Sequence, residues 1–436
     1  MDEFANERDA DLREFVTEFL RFDTTDGNEA PAQEWFRDRL DEMGFETYEW
    51  TADAEQLAAH PSFPDDPAEI PVADRPSVGG VLEFGNPEAG ATLVLNGHVD
   101  VVPAASESWA SDPFEPEWDE GHEGDEGDEA GEGNETDRQT TLTARGAADM
   151  KTGLATCVFA AKHLHESDPD LDGRLVVESV VGEEEGGVGA AAAALSNPYP
   201  FERDAAIIAE PTELRPIVAS EGSVMKRLRL TGRSAHAASR WQGVDVLPKF
   251  AAIRNALMAL EAERGETVTH PLYEEFPVKW PVVFGRVEAG DWASSVPSDL
   301  TAEIRIGVAP GETVEEVEAQ FEERLAEVVA DDEWLAEHPP AFERFSVQFE
   351  PSEISPDEPV VGAVQRAMAT RGLSDTQARG ATYGADARHY IDAGIPTVMF
   401  GPGSIEQAHF PDETIEWSEV LTAGDVLAES AREYLG

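Results

Sequence analysis

The chain has 436 residues, 41% of them hydrophobic, a globular composition long enough for two or three domains. Against 31 basic residues, mostly arginine, stand 90 acidic ones, and the net charge of −59 repels nucleic acid and anionic membranes and argues against both as partners. No apolar run approaches the roughly 20 residues of a bilayer span, and the charged start MDEFANERDADLREF has no apolar signal core, so a cytoplasmic protein is expected. The single cysteine, Cys157, lies in the apolar run LATCVFAA without a neighbouring base and reads as a small core residue. At molar salt the Debye length falls to about 3 Å and self-repulsion is screened. The composition therefore predicts a halophilic protein, adapted to a salt-rich cytoplasm.

In chain order, an amphipathic helix is predicted over roughly residues 8–22. A second lies in APAQEWFRDRLDEMGF, where apolar residues recur at helical spacing until Gly44. Four runs then read as strands: VGGVLEFG near 78–85, ATLVLNGH at 91–98, GRLVVESVVG at 173–182 and DAAIIAEP at 204–211. Each is almost continuously apolar or β-branched, the pattern of strands buried on both faces. Residues 118–139, WDEGHEGDEGDEAGEGNETDRQ, are acidic and Gly-rich and predict a solvated surface insertion. This stretch lacks the Asp-x-Asp-x-Asn-Gly spacing of a calcium loop, and His122 within it is expected to be exposed. A helix, GLATCVFAAKHLHE, follows from Gly153. Alternation of strand and helix argues for an α/β fold with helices on both faces of the sheet.

A second module starts near Ser220. SVMKRLRLTG reads as a strand, GVDVLPKFAAIRNALMALEAERG as a helix, and WPVVFGRVEAG and DLTAEIRIGVAP as two strands. TVEEVEAQFEERLAEVVA then reads as a helix and FERFSVQFE as a final strand. The order β-α-β-β-α-β is the ferredoxin-like arrangement. From about Asp357 a helix (PVVGAVQRAMATRG) and a short strand (PTVMFG) resume the first unit. The expected organisation is thus a larger domain built from residues 1–219 and 353–436, with residues 220–352 inserted.

The chemistry is concentrated where the buried strands end. ATLVLNGH leads to His98 and Asp100, LVVESVVG to Glu183-Glu184-Glu185-Gly186-Gly187, and AAIIAE to Glu210; PTVMFG leads to Gly401-Pro402-Gly403 and then Ala408-His409-Phe410-Pro411. Asp149 precedes a helix in Asp149-Met150-Lys151-Thr152-Gly153. Open α/β sheets bind ligands beyond the carboxyl ends of their strands. A single such histidine is more often a core or surface residue, and a glutamate pair in so acidic a chain is usually a solvated face. Histidines and carboxylates together at one edge instead suit a divalent metal site with mixed nitrogen and oxygen ligands. Three carboxylates, two divalent ions and one bridging hydroxide sum to zero charge, which a buried site tolerates, whereas three bare carboxylates are strongly disfavoured.

Asn-Gly-His-Val-Asp, Asp-Met-Lys-Thr-Gly, Glu-Glu-Glu-Gly-Gly, Glu-Pro-Thr and the late Ala-His-Phe-Pro-Asp-Glu occur in that order along almost the whole chain. In this the chain resembles the metallopeptidase family of acetylornithine deacetylase, succinyl-diaminopimelate desuccinylase, aminoacylase and glutamate carboxypeptidase. The resemblance implies a zinc-peptidase-like catalytic domain with an inserted lid and dimerisation domain. It also implies two divalent metal ions, zinc foremost, with cobalt or manganese also fitting the ligand set. Asp149 would bridge the metals, His98 and Glu210 would complete one site, and Glu184 and His409 the other. Glu183 would be the general base that moves a proton from water to the leaving amine, and Asp100 would orient His98. Three consecutive glutamates leave their register ambiguous, and aligning Gly186-Gly187 with the family's glycines selects Glu183 as base. Gly182 stands where many members have aspartate, which removes a supporting contact.

In the inserted module, Gly232-Arg233-Ser234-Ala235-His236 resembles a family motif whose histidine stabilises the oxyanion, commonly in a partner subunit's site, and so implies a homodimer. Arg305 matches an arginine that binds a substrate carboxylate, although an ordinary strand-surface ion pair also accounts for it. Ser294 stands where relatives have asparagine, and Gly384 opens a loop, Gly384-Ala385-Asp386-Ala387-Arg388, that resembles one lining the substrate pocket. The expected substrate is a small N-acyl amino acid, or a peptide if the chain is a dipeptidase or carboxypeptidase of the same family. A non-catalytic metal- or ligand-binding relative is the remaining reading.

Overall fold

The computed structural model describes residues 2–121, 140–167 and 169–436. His122 and the rest of the acidic stretch up to residue 139 lie outside the described residues. The largest sheet has nine strands, in the order Glu46–Thr51, Pro76–Phe84, Gly173–Val180, Thr92–His98, Ala205–Ile208, Thr397–Met399, Ile217–Ser220 and Ser352–Glu353, with Arg379–Ala381 also paired to Ile217–Ser220. Its central strands, Gly173–Val180, Thr92–His98, Ala205–Ile208 and Thr397–Met399, are mutually parallel. All four are buried along their length, which explains their continuous apolar runs. The flanking Glu46–Thr51 and Pro76–Phe84 are antiparallel, so the sheet is mixed.

Helices cover both faces. Gly79 and Gly80 are neighbours on one strand, yet a Cβ on Gly79 would strike Tyr199 and one on Gly80 would strike Leu40 of helix Ala30–Met43. Gly44 ends that helix in the left-handed region, at φ 90°, as its sequence predicts. The first helix runs Asp2–Phe19, earlier than its periodicity suggested. Helix Lys151–Glu166 is buried from Lys151 through Ala161, the signature of a core helix rather than an amphipathic one. Cys157 sits inside it, fully buried, and burial pushes its thiol upward, so it is inert.

A separate antiparallel sheet is ordered Val282–Ala289, Asp299–Val308, Gly222–Thr231, Ala341–Arg344. With helices Val246–Thr267 and Val314–Ala330 it encloses its own core, including Val224, Ile253, Ile304, Phe321 and Leu335. This is the ferredoxin-like order. The last strand is shorter than FERFSVQFE suggested. It stops at Arg344, and Ser346 takes a left-handed conformation, φ 58°. The chain then returns toward the large sheet through a bridge between Ser223 and Phe349. Among the described residues, no helix is long and apolar enough to cross a membrane.

Candidate metal centre

Because the four central strands are parallel, their carboxyl ends share one edge. His98 is the last residue of its strand, and Glu210 follows Ala205–Ile208 by two residues. After Gly173–Val180 the chain turns through Gly182, Gly186 and Gly187, all at positive φ, and this tight turn fans out the three glutamates between them. The loop after Thr397–Met399 carries His409 back over the same edge. Asp149 arrives from the amino end of helix Lys151–Glu166, which lies close on the sheet. A Cβ on Gly97 would come 2.7 Å from the Met150 side chain, and one on Gly153 2.2 Å from the Ala209 carbonyl. The glycines of Asn-Gly-His and Lys-Thr-Gly therefore let Asp149 reach His98.

Asp149 lies between the two histidines. Its Oδ1 is 3.1 Å from His98 Nε2 and its Oδ2 3.6 Å from His409 Nε2. His409 is also 3.1 Å from Glu184. His98, Asp149 and Glu184 each offer a ligand atom within 4.8 Å of the others. Glu210 and Glu183 are buried beside them. With Glu184 and His409 they line a cavity of about 250 Å³, whose other wall includes Arg305, Ser223, Tyr383 and Gly384.

Burial works against charge on His98, but its hydrogen bond to Asp149 and the carboxylates around it raise it well above its ordinary value. Burial raises Glu184, pushes Glu210 up to about 8, and with the charge of Asp386 raises Glu183 well above the carboxylate range. Such mutual repulsion is relieved by a cation. Two imidazoles and four carboxylates, with Arg305 the only lysine or arginine on the cavity wall among the described residues, fit a divalent-metal site. His98 Nδ1 donates to the main-chain oxygen of Asp100 at 2.8 Å, which leaves Nε2 as the ligating nitrogen.

Asp100 departs from its expected role. Its carboxylate stands 3.8 Å from the His98 ring and instead accepts the main-chain N–H of Glu183, at 3.2 Å, and Glu184, at 3.0 Å. Asp100 thus braces the glutamate turn; its main-chain carbonyl makes the hydrogen bond to the histidine, and its carboxylate acts on the ring by charge. Glu185 points away and pairs with Arg75, so of the three consecutive glutamates Glu183 and Glu184 face the cavity. His236 and Ser294 do not line it. Both are exposed on neighbouring loops of the smaller sheet, joined by a bridge between His236 and Ser295.

Several contributors escaped sequence reasoning. Glu413 is fully buried and accepts the N–H of Gly146, Ala148 and Asp149 as well as an Arg145 guanidinium N–H, which pins the loop that presents Asp149. It belongs to the quoted Ala-His-Phe-Pro-Asp-Glu stretch, but nothing local distinguishes it from a surface carboxylate. Asp386 is buried with neither oxygen hydrogen-bonded, and burial pushes it to about 7 despite Arg388.

Arg305 donates to the fully buried Glu221 at 3.0 Å. Burial pushes Glu221 up to about 8, with Arg305 opposing. A carboxyl raised on folding contributes stability that is full below its unfolded value, near 4.5, and is lost as pH rises through about 8. Glu221→Gln is accordingly expected to flatten the fall in unfolding free energy over this window by on the order of 1–3 kcal/mol. Denaturant titrations of both metal-loaded proteins at pH 5 to 8.5 check it, and parallel pH profiles would exclude Glu221 as the source.

An α/β fold carrying a histidine–carboxylate cluster at the carboxyl edge of its parallel strands defines a metallohydrolase. Over residues 94–433 the chain matches the peptidase family M20/M25/M40, and it belongs to that family of metal-dependent peptidases and amidohydrolases. It is 27% identical over 418 residues to the N-formyl-4-amino-5-aminomethyl-2-methylpyrimidine deformylase of Halalkalibacterium halodurans, covering 90% of this chain and 86% of that one. To the acetylornithine deacetylase of Proteus mirabilis it is 29% identical over 350 residues, 79% of this chain and 78% of the relative. In fold it is similar to the metallo-carboxypeptidase Sso-CP2 of Sulfolobus solfataricus, with a TM-score of 0.70 at 16% identity, covering 100% and 99% of the two chains.

Proposed function

We propose that this protein hydrolyses the amide bond of a small N-acyl amino acid. The observation that carries the reading is the convergence on one cavity of Asp149, Glu184, Glu210 and His409, with His98 against Asp149, Glu183 beside them and Arg305 across from them. His98 and Glu210 would hold one divalent ion, Glu184 and His409 a second, and Asp149 would lie between; zinc suits these ligands best. Bound there, such ions lower the pKa of water and polarise a carbonyl. Glu183 takes the proton of the attacking water and delivers it to the leaving amine, for which it must remain outside the ligand set. Arg305 meets the substrate carboxylate with its guanidinium fork. Relatives named for removal of formyl and acetyl groups support a small acyl group.

Residues 220–352 serve in this reading as lid and dimerisation module. Strand Val282–Ala289 is a sheet edge with Val283 and Val287 exposed, and Trp241 and Trp292 stand 77% and 72% exposed nearby. An exposed apolar edge suits pairing with a second copy. That pairing would let His236 reach a partner's site and stabilise the developing oxyanion. Burial of the lone Cys157 is consistent with work in the cytoplasm.

The test is a panel of N-formyl, N-acetyl and N-succinyl amino acids and dipeptides, assayed at high salt with Zn²⁺, Co²⁺ or Mn²⁺. Turnover is expected on N-acyl amino acids and lost with chelator. Turnover of dipeptides alone reassigns the protein as a peptidase, and no turnover with metal bound marks a non-catalytic relative.

A further inference from the structure

We propose that Arg75 is a positioning residue that sets the register of the three consecutive glutamates by holding Glu185 away from the metal cavity. The inference rests on the function proposed above. The turn from Gly182 to Gly187 closes on itself through the N–H of Gly187 to the carbonyl of Gly182 at 2.7 Å, and of Gly186 to Glu183 at 2.9 Å. It is held from outside at three places. The Asp100 carboxylate takes the N–H of Glu183 and Glu184. The carbonyl of Gly186 accepts from Arg388 Nη2 at 2.7 Å and His389 Nε2 at 3.0 Å. The third hold is a side chain, Glu185, clasped by Arg75 Nη1.

Arg75 is itself immobilised. It is 3% exposed, its Nε donates to both oxygens of the fully buried Glu29 at 3.1 Å, and Nη1 also donates to the Pro71 carbonyl at 3.0 Å. Its guanidinium packs beneath the turn, so that a Cβ on Gly182 would lie 3.1 Å from Nη2. Stability alone does not account for the pair with Glu185. That carboxylate is 42% exposed, and an ion pair so open to water contributes at most about 1 kcal/mol. Its consequence is geometric. Three adjacent carboxylates compete for the same cations, and a one-residue slip would exchange a ligand for the base. Fixing the third against a buried guanidinium leaves Glu184 to His409 and Glu183 to the cavity.

Glu185→Ala opens the clasp and leaves the buried Arg75–Glu29 pair intact, so the fold is expected to persist, with a Tm within about 2 °C of the parent. With the third carboxylate gone, cobalt titration followed by visible absorption is expected to find parent-like binding, and kcat within about twofold of the parent. Arg75→Lys, which keeps the charge but loses the fork and frees Glu185, should bind cobalt roughly tenfold more weakly and lose roughly tenfold in kcat with KM within about twofold. Adding Glu185→Ala to it should restore both. Parent-like cobalt binding and kcat in Arg75→Lys, or a defect there that Glu185→Ala does not relieve, would overturn the proposal. If the parent binds cobalt but hydrolyses no amide, the functional reading fails while the cobalt titration still decides the role of Arg75.

Discussion

Glu183→Ala is expected to keep its divalent ions and to lose at least about a hundredfold in turnover. Glu183 lines the cavity beside Glu184 and Glu210, and among the described residues no hydrogen bond or ion pair ties up its carboxylate. Its position is set through the main chain, by Asp100, so removing the side chain leaves the turn in place. Amide hydrolysis needs a proton taken from water and one delivered to a poor leaving group, and alanine can do neither. The contrasting variant is Asp149→Ala. Asp149 touches both histidines and its N–H is held by Glu413, so it joins the two halves of the cluster. Its removal is expected to release metal on dialysis. Elemental analysis of both variants separates the roles. Full occupancy by two ions in Asp149→Ala would refute its place between them, and metal loss in Glu183→Ala would make that residue a ligand rather than a base.

The sheet edge was legible because it rests on local pattern. Continuous apolar runs mark strands buried on both faces, parallel strands share an edge, and His98, Glu183, Glu184 and Glu210 follow such runs directly. The ferredoxin-like order was legible for the same reason, from the spacing of helical and alternating segments. Supports that close across the chain were not. Glu413 meets Asp149 from 264 residues away and Arg75 meets Glu185 across 110, and neither contact leaves a periodic trace. Asp100 shows the limit of resemblance: the family's pattern implied a carboxylate on a ring nitrogen of His98, and here the carbonyl makes that hydrogen bond. Short strands such as Ile217–Ser220 and Arg379–Ala381 went unread in the sequence, because pairing partners rather than their own residues make them strands.

Salt is expected to move stability more than any single substitution. Raising KCl from 0.1 to 2 M should increase Tm by more than about 10 °C. The reason lies in spacing. Helix Val314–Ala330 carries Glu315, Glu316, Glu318, Glu322, Glu323 and Glu327, and residues three or four apart on a helix stand about 5–6 Å from each other. That separation is inside the Debye length of about 10 Å at 0.1 M and outside the 3 Å reached at 1 M, so molar salt removes the repulsion between neighbours. Arg344 reaches Glu315 and Glu318, and Lys226 reaches Glu318 and Glu322, but 31 basic residues cannot offset 90 acidic ones over the whole surface. Exposed ion pairs weaken in salt, but each contributes little, so relief of repulsion decides the sign. Sucrose separates screening from general strengthening of apolar burial, since it favours the compact state without carrying charge. A rise with KCl that sucrose does not reproduce is the expected result, and full stability at 0.1 M without added salt would remove salt adaptation as the explanation of the −59 charge.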